Sequence, residues 1–482
     1  DETDHDLFKV GHTSTSVSLA LGLAKARDVM GGSENVVAII GDGSLSGGEA
    51  LEGLNAAAEL GSNFIVVVND NQMSIAENHG GLYRGLAELR RTRGEARDNL
   101  FRAMGFDYRY VADGNDCEAL IPVLEEVHGI RHPVVVHVNT FKGKGYAPAE
   151  ADKEAWHWHM PFDIETGESH PSSRESYAAL AGEYLLERSQ SDESLLVVAS
   201  GVTSALDMNP RRRRALGAHY VDVGIAEEAA VALASGAAKR GANVVWGTAA
   251  TFIQRSYDQL SQDLAINGNP ATIVGANGSV WGMSDVTHAA FYSIPLIANI
   301  PDIVYLAPTS VEEHIAVLRW AVEQTEHPVM IRMPYTGYEE SPYPVRADYS
   351  ELNRSIVVRK GRDVALIGVG NFAALASEAA DELAHEGLNP TVVNPLYLSG
   401  LDADLLTSLA ETHSLILTIE DGILAGGFGQ KVAAFYGDKK GVRVRNYGLP
   451  KKFFNRYDPN ALAREYHLTA PQIAADVLRE MR

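Results

Sequence analysis

Residues 39–74 carry "IIGDGSLSGGEALEGLN" and then, after eight further residues, "FIVVVNDNQMS". An apolar run enters Gly41-Asp42-Gly43, and a second ends at Asn69-Asp70-Asn71, with 27 residues between Gly43 and Asn71. That spacing predicts one strand–helix–strand unit. Asp42 and Asn71 then lie at the carboxyl ends of neighbouring strands, where open α/β sheets take their ligands. The Asp42 carboxylate, the Asn71 amide oxygen and the main-chain carbonyl of Met73 are hard oxygen donors. They suit an octahedral Mg²⁺ whose other positions go to phosphate oxygens and water. Small residues at Gly41, Gly43 and Ser44 let the backbone approach a diphosphate closely. Gly-Asp-Gly alone reads as an ordinary turn; its pairing with Asn-Asp-Asn at this distance points to a metal-bound diphosphate.

The rest of the chain fits a multidomain α/β protein. Its 482 residues allow about three domains. Hydrophobic content of 45% and charged content of 22% are those of an ordinary globular protein. A net charge of −22 argues against sequence-independent nucleic-acid binding. No apolar run is long enough to span a bilayer, and none reads as a signal peptide. Cys117 is the single cysteine, so no internal disulfide forms and a reducing cytoplasm is the expectation. The run Arg211–Arg214 reads as a solvated helix end. Short β-branched runs mark buried parallel strands at 36–40, 64–69 and 134–138, then 195–199, 220–223, 244–246 and 271–274, then 364–369, 391–393 and 415–419. Polar, turn-rich stretches divide the chain into domains 1–160, 176–340 and 356–482, with linkers at 161–175 and 341–355.

Further motifs narrow the reading. They are "VGHTSTSVSLALGLA" at 10–24, "NDNQMSIAEN" at 69–78, "FKGKGYAPAE" at 141–150, "VDVGIAEE" at 221–228 and "ATFIQRSYDQ" at 250–259. With the Gly-Asp-Gly unit they resemble the 1-deoxy-D-xylulose-5-phosphate synthase family of transketolase-type enzymes, over nearly the whole chain and more weakly in the third domain. The resemblance implies three consecutive α/β domains with mainly parallel sheets, thiamine diphosphate and Mg²⁺ as cofactors, and a homodimer. It implies decarboxylation of pyruvate and transfer of two carbons to an aldehyde, glyceraldehyde 3-phosphate in the family, as the first step of isoprenoid synthesis. Gly11, His12 and Thr13, expected to open a helix, would meet the diphosphate with Gly43, Ser44 and Asn71. Asp42, Asn71 and Met73 would hold the metal. Glu227 would hydrogen-bond N1′ of the aminopyrimidine, with its pKa raised by an apolar pocket. Phe252 would stack on that ring, and Tyr146, with Lys142 a lesser candidate, would touch the cofactor. His157 and His288 would donate protons to substrate oxygens. Arg255 is a candidate for substrate contact, with a structural ion pair as the plain alternative. His159 reads as structural; His79 stays open between the two.

The acceptor half departs from the family. Asn277, in "VGANGSVWGMSDVTHAA", and Tyr335, in "IRMPYTG", replace two arginines that grip the acceptor phosphate, and neither restores the charge. Ala249 replaces a tyrosine, Ser284 an aspartate with Asp285 one position on, and Glu228 and Ala229 a Gln-His pair. A changed acceptor, or a changed way of binding it, is therefore expected. Two alternatives follow: transketolase-like transfer from a ketose donor to an aldose, and a non-catalytic relative, against which Asp42, Asn71 and Glu227 all argue. The resemblance also implies a histidine-bearing stretch ahead of the Gly11 loop. Its loss or disorder is expected, with supply by another chain as the alternative.

Overall fold

The computed structural model describes residues 3–159, 161–168 and 176–481; part of the linker expected at 161–175 thus lies outside the described residues. Three sheets are formed among them. The first contains β1 (Val37–Gly41), β2 (Phe64–Asp70), β3 (Asp107–Val111) and β4 (Pro133–Asn139) in the order β1-β2-β4-β3, all parallel. The second contains β5 (Leu195–Ala199), β6 (Tyr220–Asp222), β7 (Asn243–Ala249), β8 (Thr272–Ala276), β9 (Val304–Leu306) and β10 (Val329–Arg332), ordered β6-β5-β7-β8-β10-β9. The third contains β11 (Ile356–Arg359), β12 (Ala365–Gly368), β13 (Thr391–Asn394), β14 (Leu415–Ile423) and β15 (Arg443–Leu449), ordered β11-β13-β12-β14-β15. Only β11 pairs antiparallel in the third sheet.

The chain forms two compact units. The first holds residues 1–174 with the short segments 199–203 and 222–226; the second holds the remainder, including most of the second sheet and the whole third sheet. In the first unit, alternate residues of β2 serve opposite faces. Phe64, Val66 and Val68 pack with Val17, Ala24, Leu54 and Ala57 of the helices Ser16–Met30 and Gly48–Ala57. Ile65 joins Val134, Val136 and Val127 on the other side. Two covered faces explain why these strands read as unbroken apolar runs. Each fully buried Val or Phe contributes about 1.5–3 kcal/mol.

Two local expectations are corrected. Gly11-His12-Thr13 does not open a helix: the helix begins at Ser16, with Thr15 as its N-cap and no side-chain capping bond. Ser14 adopts φ +79°, which breaks helical geometry, and its hydroxyl donates instead to the Ser44 carbonyl at 2.8 Å. Nor is Arg211–Arg214 simply a solvated end. It lies in the helix Pro210–Leu216, where Arg213 is buried and donates to the Met208 carbonyl at 2.8 Å. Arg212 pairs with Asp207 and Glu183.

The second and third sheets are tied together by buried charge. At the end of β10, Arg332 Nη1 donates to Asp421 Oδ1 on β14 at 2.7 Å, and both side chains are at most 2% exposed. Asn371 Nδ2 donates to the other Asp421 oxygen at 2.7 Å, while Asn371 Oδ1 accepts from the amides of Tyr335 (2.8 Å) and Thr336 (3.1 Å). The segment expected as the second linker has no helix or strand, yet it is packed. Tyr343 bonds Glu313 and Asn394, and Tyr349 is 1% exposed. Removing one partner of a buried ion pair strands the other in low dielectric. Arg332→Ala is therefore expected to cost about 3–5 kcal/mol in urea unfolding, whereas exposed Arg362→Ala serves as a near-neutral control.

Candidate active site

Gly41 and Asn69 are register partners at the carboxyl ends of β1 and β2, and Asp42 N donates to the Asn69 carbonyl at 3.0 Å. Asp42 and Asn71 thus emerge from adjacent strand ends, as the spacing requires. Asn78 Nδ2 holds Asp42 Oδ2 at 2.7 Å, and Met73 N donates to Asn71 Oδ1 at 3.1 Å. Gly43 lies so close to Ser74 that a Cβ there would come within 3.0 Å of Ser74 Cα. Gly47 likewise leaves no room for a Cβ beside Ser14 Oγ. Ser46 Oγ accepts from Ile225 N at 2.8 Å, and Asp222 Oδ1 accepts from the amides of Gly201 and Gly224. His12 and Thr13 lie in the turn before the helix at Ser16 rather than in its first turn.

Beneath Asp42 is a group that the sequence left unassigned. Asp70, fully buried, bonds Arg90 Nη1 at 2.5 Å and His137 Nε2 at 2.8 Å, and Tyr108 OH closes the chain on His137 Nδ1 at 2.7 Å. Burial alone would raise the Asp70 pKa, but the His137 and Arg90 bonds outweigh it and hold it low. Asp70 therefore keeps its charge. Burial, and then that neighbouring charge, push Asp42 up to about 7. A site that packs two carboxylates and neutralises only one has an unmet demand for a cation. Among the described residues no three His, Cys, Asp or Glu side chains converge as a metal cage. A site with one carboxylate, one amide, one carbonyl and phosphate oxygens does not need such a cage. Ser74 Oγ is buried with no hydrogen-bond partner among the described residues, a vacant donor beside Gly43. These features fit a divalent cation with a diphosphate.

Lys142 Nζ bonds the Ser74 carbonyl at 2.6 Å and lies 3.1 Å from His157 Nδ1. His157 is open to solvent by surface area, yet surrounding protein and then the Lys142 charge lower its pKa, favouring the neutral ring. Tyr146 belongs to an aromatic cluster with Trp156 and Phe162, and its hydroxyl donates to the Ile164 carbonyl. His159 stacks on Trp156 at 4.2 Å. His79 is exposed.

In the second unit Glu227 begins the helix Glu227–Lys239 just beyond β6 and is 1% exposed. Burial raises its pKa, and Arg255, whose Nη1 lies 3.4 Å from Glu227 Oε2, opposes part of that shift. The ion-pair alternative for Arg255 is therefore real, but its partner is the buried Glu227. Phe252, in the short turn 252–256, meets the His288 ring edge-on at 5.6 Å. Thr287 Oγ1 donates to Asp285 Oδ1 at 2.5 Å and lies 2.8 Å from His288 Nδ1. The hydroxyl proton is committed to Asp285, so His288 Nδ1 is the donor in its contact with Thr287 Oγ1. Asp285, held low first by Thr287, thus orients His288 from the position beside Ser284. Asn277 follows β8 with φ +60°, and Tyr335 is 42% exposed beyond β10.

Solved structures share this architecture. A transketolase from Campylobacter jejuni aligns over 97% of this chain and 81% of its own, with TM-score 0.54 and 16% identity. A structure described as a split-gene transketolase, inactive β4 tetramer, covers 63% of this chain and 98% of its own with TM-score 0.55 and 24% identity. Family models match residues 186–339 (transketolase, pyrimidine binding domain) and 354–473 (transketolase, C-terminal domain). The model described as 1-deoxy-D-xylulose-5-phosphate synthase matches 1–97 and 91–140. The fold and these domains define a thiamine diphosphate-dependent transferase of the transketolase type. Proteins named 1-deoxy-D-xylulose-5-phosphate synthase from Desulforudis audaxviator and Heliobacterium modesticaldum are 35% and 33% identical across all of this chain, covering 82% and 80% of their own lengths. The chain belongs to the 1-deoxy-D-xylulose-5-phosphate synthase family.

An Asp whose folded pKa is raised from 3.8 to about 7 binds its proton more tightly when folded. Without a cation, it lowers stability progressively as pH rises between those values. The melting-temperature gain on adding Mg²⁺ with thiamine diphosphate is therefore expected to be larger at pH 8 than at pH 6. Differential scanning fluorimetry measures this, and Asp42→Asn should flatten the difference.

Proposed function

We propose that the chain decarboxylates pyruvate and transfers the two-carbon unit to an aldehyde, forming 1-deoxy-D-xylulose 5-phosphate when the aldehyde is glyceraldehyde 3-phosphate. Membership of the family, together with a buried Glu227 of raised pKa, is what carries the reading. Asp42, Asn71 and the Met73 carbonyl are assigned to Mg²⁺. Gly11, His12, Thr13, Gly43, Ser44 and Asn71 are assigned to the diphosphate, with the Ser74 hydroxyl and the Lys142 ammonium as additional donors. Phe252 and Glu227 are assigned to the aminopyrimidine, and Tyr146 to the cofactor's edge. When bound, thiamine diphosphate supplies the carbanion chemistry and the electron sink for loss of CO₂. The protein supplies proton control. Burial raises the Glu227 pKa and so favours proton retention, while the Arg255 charge opposes part of that shift. His288 presents Nε2, with Asp285 and Thr287 fixing its other nitrogen. His157 presents a neutral ring poised by Lys142. A homodimer and a cytoplasmic location accompany the reading; no helix among the described residues is long and apolar enough to cross a membrane.

Asn277, Tyr335 and Ala249 favour ketose-to-aldose transfer as the second reading. Incubation with thiamine diphosphate, Mg²⁺ and ¹³C-pyruvate plus a panel of aldehydes separates the two. Labelled CO₂ with deoxyxylulose 5-phosphate is expected, whereas turnover only with a ketose donor would overturn the first reading. Glu227→Ala is expected to lower kcat by about 10²–10⁴-fold, and Glu227→Gln should remove the acidic limb of the pH–rate profile.

A further inference from the structure

The acceptor side lacks both expected guanidinium groups, but the third sheet brings another cation to the same loop. After β15 the segment 450–458 lies along loop 277–292, and the contacts are specific. Arg456 N donates to the Ser284 carbonyl at 2.8 Å, and Asn455 Oδ1 accepts from Val286 N at 3.3 Å. Tyr457 OH donates to the Val280 carbonyl at 3.0 Å, and Tyr292 OH to the Lys452 carbonyl at 3.1 Å. Phe291 packs against the rings of Phe454 and Tyr457. The backbone of Arg456 is thereby pinned beside Ser284, next to the Asp285–Thr287–His288 chain. His288 in turn meets Phe252, three positions before Arg255, the partner of Glu227.

Arg456 itself is unusual. Its φ is +48°, a left-handed conformation that disfavours most side chains by about 1–2 kcal/mol. Its side chain is exposed and has no hydrogen-bond or ion-pair partner among the described residues. Lys452, by contrast, lies near Glu465 and over Phe454 and Tyr466. Within loop 277–292 the single acid is Asp285, already engaged by Thr287 and His288. Arg456 thus carries an uncommitted guanidinium on backbone fixed to a loop whose one acid is engaged, a combination that suits an anion. It offers the forked donor geometry that phosphate oxygens match.

We propose that Arg456 is the specificity-determining residue that holds the phosphate of the aldehyde acceptor, supplied from the third sheet in place of side chains at Asn277 and Tyr335. The assignment rests on the two-carbon transfer reading above. Its test compares wild type, Arg456→Asn and Arg456→Lys with pyruvate and either glyceraldehyde 3-phosphate or uncharged glyceraldehyde. Asparagine tolerates positive φ, so the loop backbone is kept. The ratio of kcat/KM for the phosphorylated over the uncharged aldehyde is expected to fall at least about 10-fold in Arg456→Asn, mainly through KM, with partial recovery in Arg456→Lys. An unchanged ratio, or equal losses with both aldehydes, overturns the role of Arg456 and leaves the reaction standing. Wild type that transfers no carbon from pyruvate to either aldehyde overturns the reaction and this role together.

Discussion

The first unit is built around two carboxylates that share one pocket but not one fate. Asp70 is neutralised from within by Arg90 and by His137, itself fixed by Tyr108. Asp42, one strand away, receives the Asn78 amide and the backbone donors of Gly43 and Asn71, which do not offset its burial and the Asp70 charge, so its own charge remains costly. The asymmetry matters more than either group alone. The close approaches around it, Gly43 to Ser74 and Gly47 to Ser14, bring loops near these carboxylates without steric conflict.

In the second unit the same logic is carried by a carboxylate and a guanidinium. Burial raises the Glu227 pKa, while Arg255 favours the ionised form and opposes part of that shift. His288 is oriented from the far side by a hydroxyl whose proton is already spoken for. Neither arrangement needs a long-range network. Glu227 and Arg255 lie within a few positions of the ends of β6 and β7, whereas His288 stands in the long loop between β8 and β9.

Much of this was legible in the sequence, because the signals were local or evenly spaced. Strands β1, β2, β4 and β5 stand within a residue or two of the β-branched runs that announced them; β2 and β4 are covered on both faces, whereas β1 is an edge strand that keeps its apolar run although Val37 and Ile39 are exposed. Strands β3 ("DYRYV") and β15 ("RVRNYGL") carry charged or tyrosine side chains and gave no such run; both are sheet edges. Asp42, Asn71 and Glu227 could be singled out by motif. Asn78, Arg90 and His137 could not, because their bonds to Asp42 and Asp70 span 36, 20 and 67 positions. The one local hint was a histidine inside the apolar strand "PVVVHVN". The helix start at Ser16 was misjudged because the left-handed turn at Ser14 is imposed by its bond to Ser44, a tertiary contact.

The clamp on loop 277–292 has a temporal side. Tyr457 reaches back 177 positions to Val280, and Asn455 reaches back 169 to Val286. During synthesis every strand of the second sheet emerges well before these residues do. The loop that carries His288 therefore gains its Tyr457 and Asn455 contacts only after the second sheet is complete. An incomplete chain with a finished second sheet would lack these two braces on the loop that carries His288.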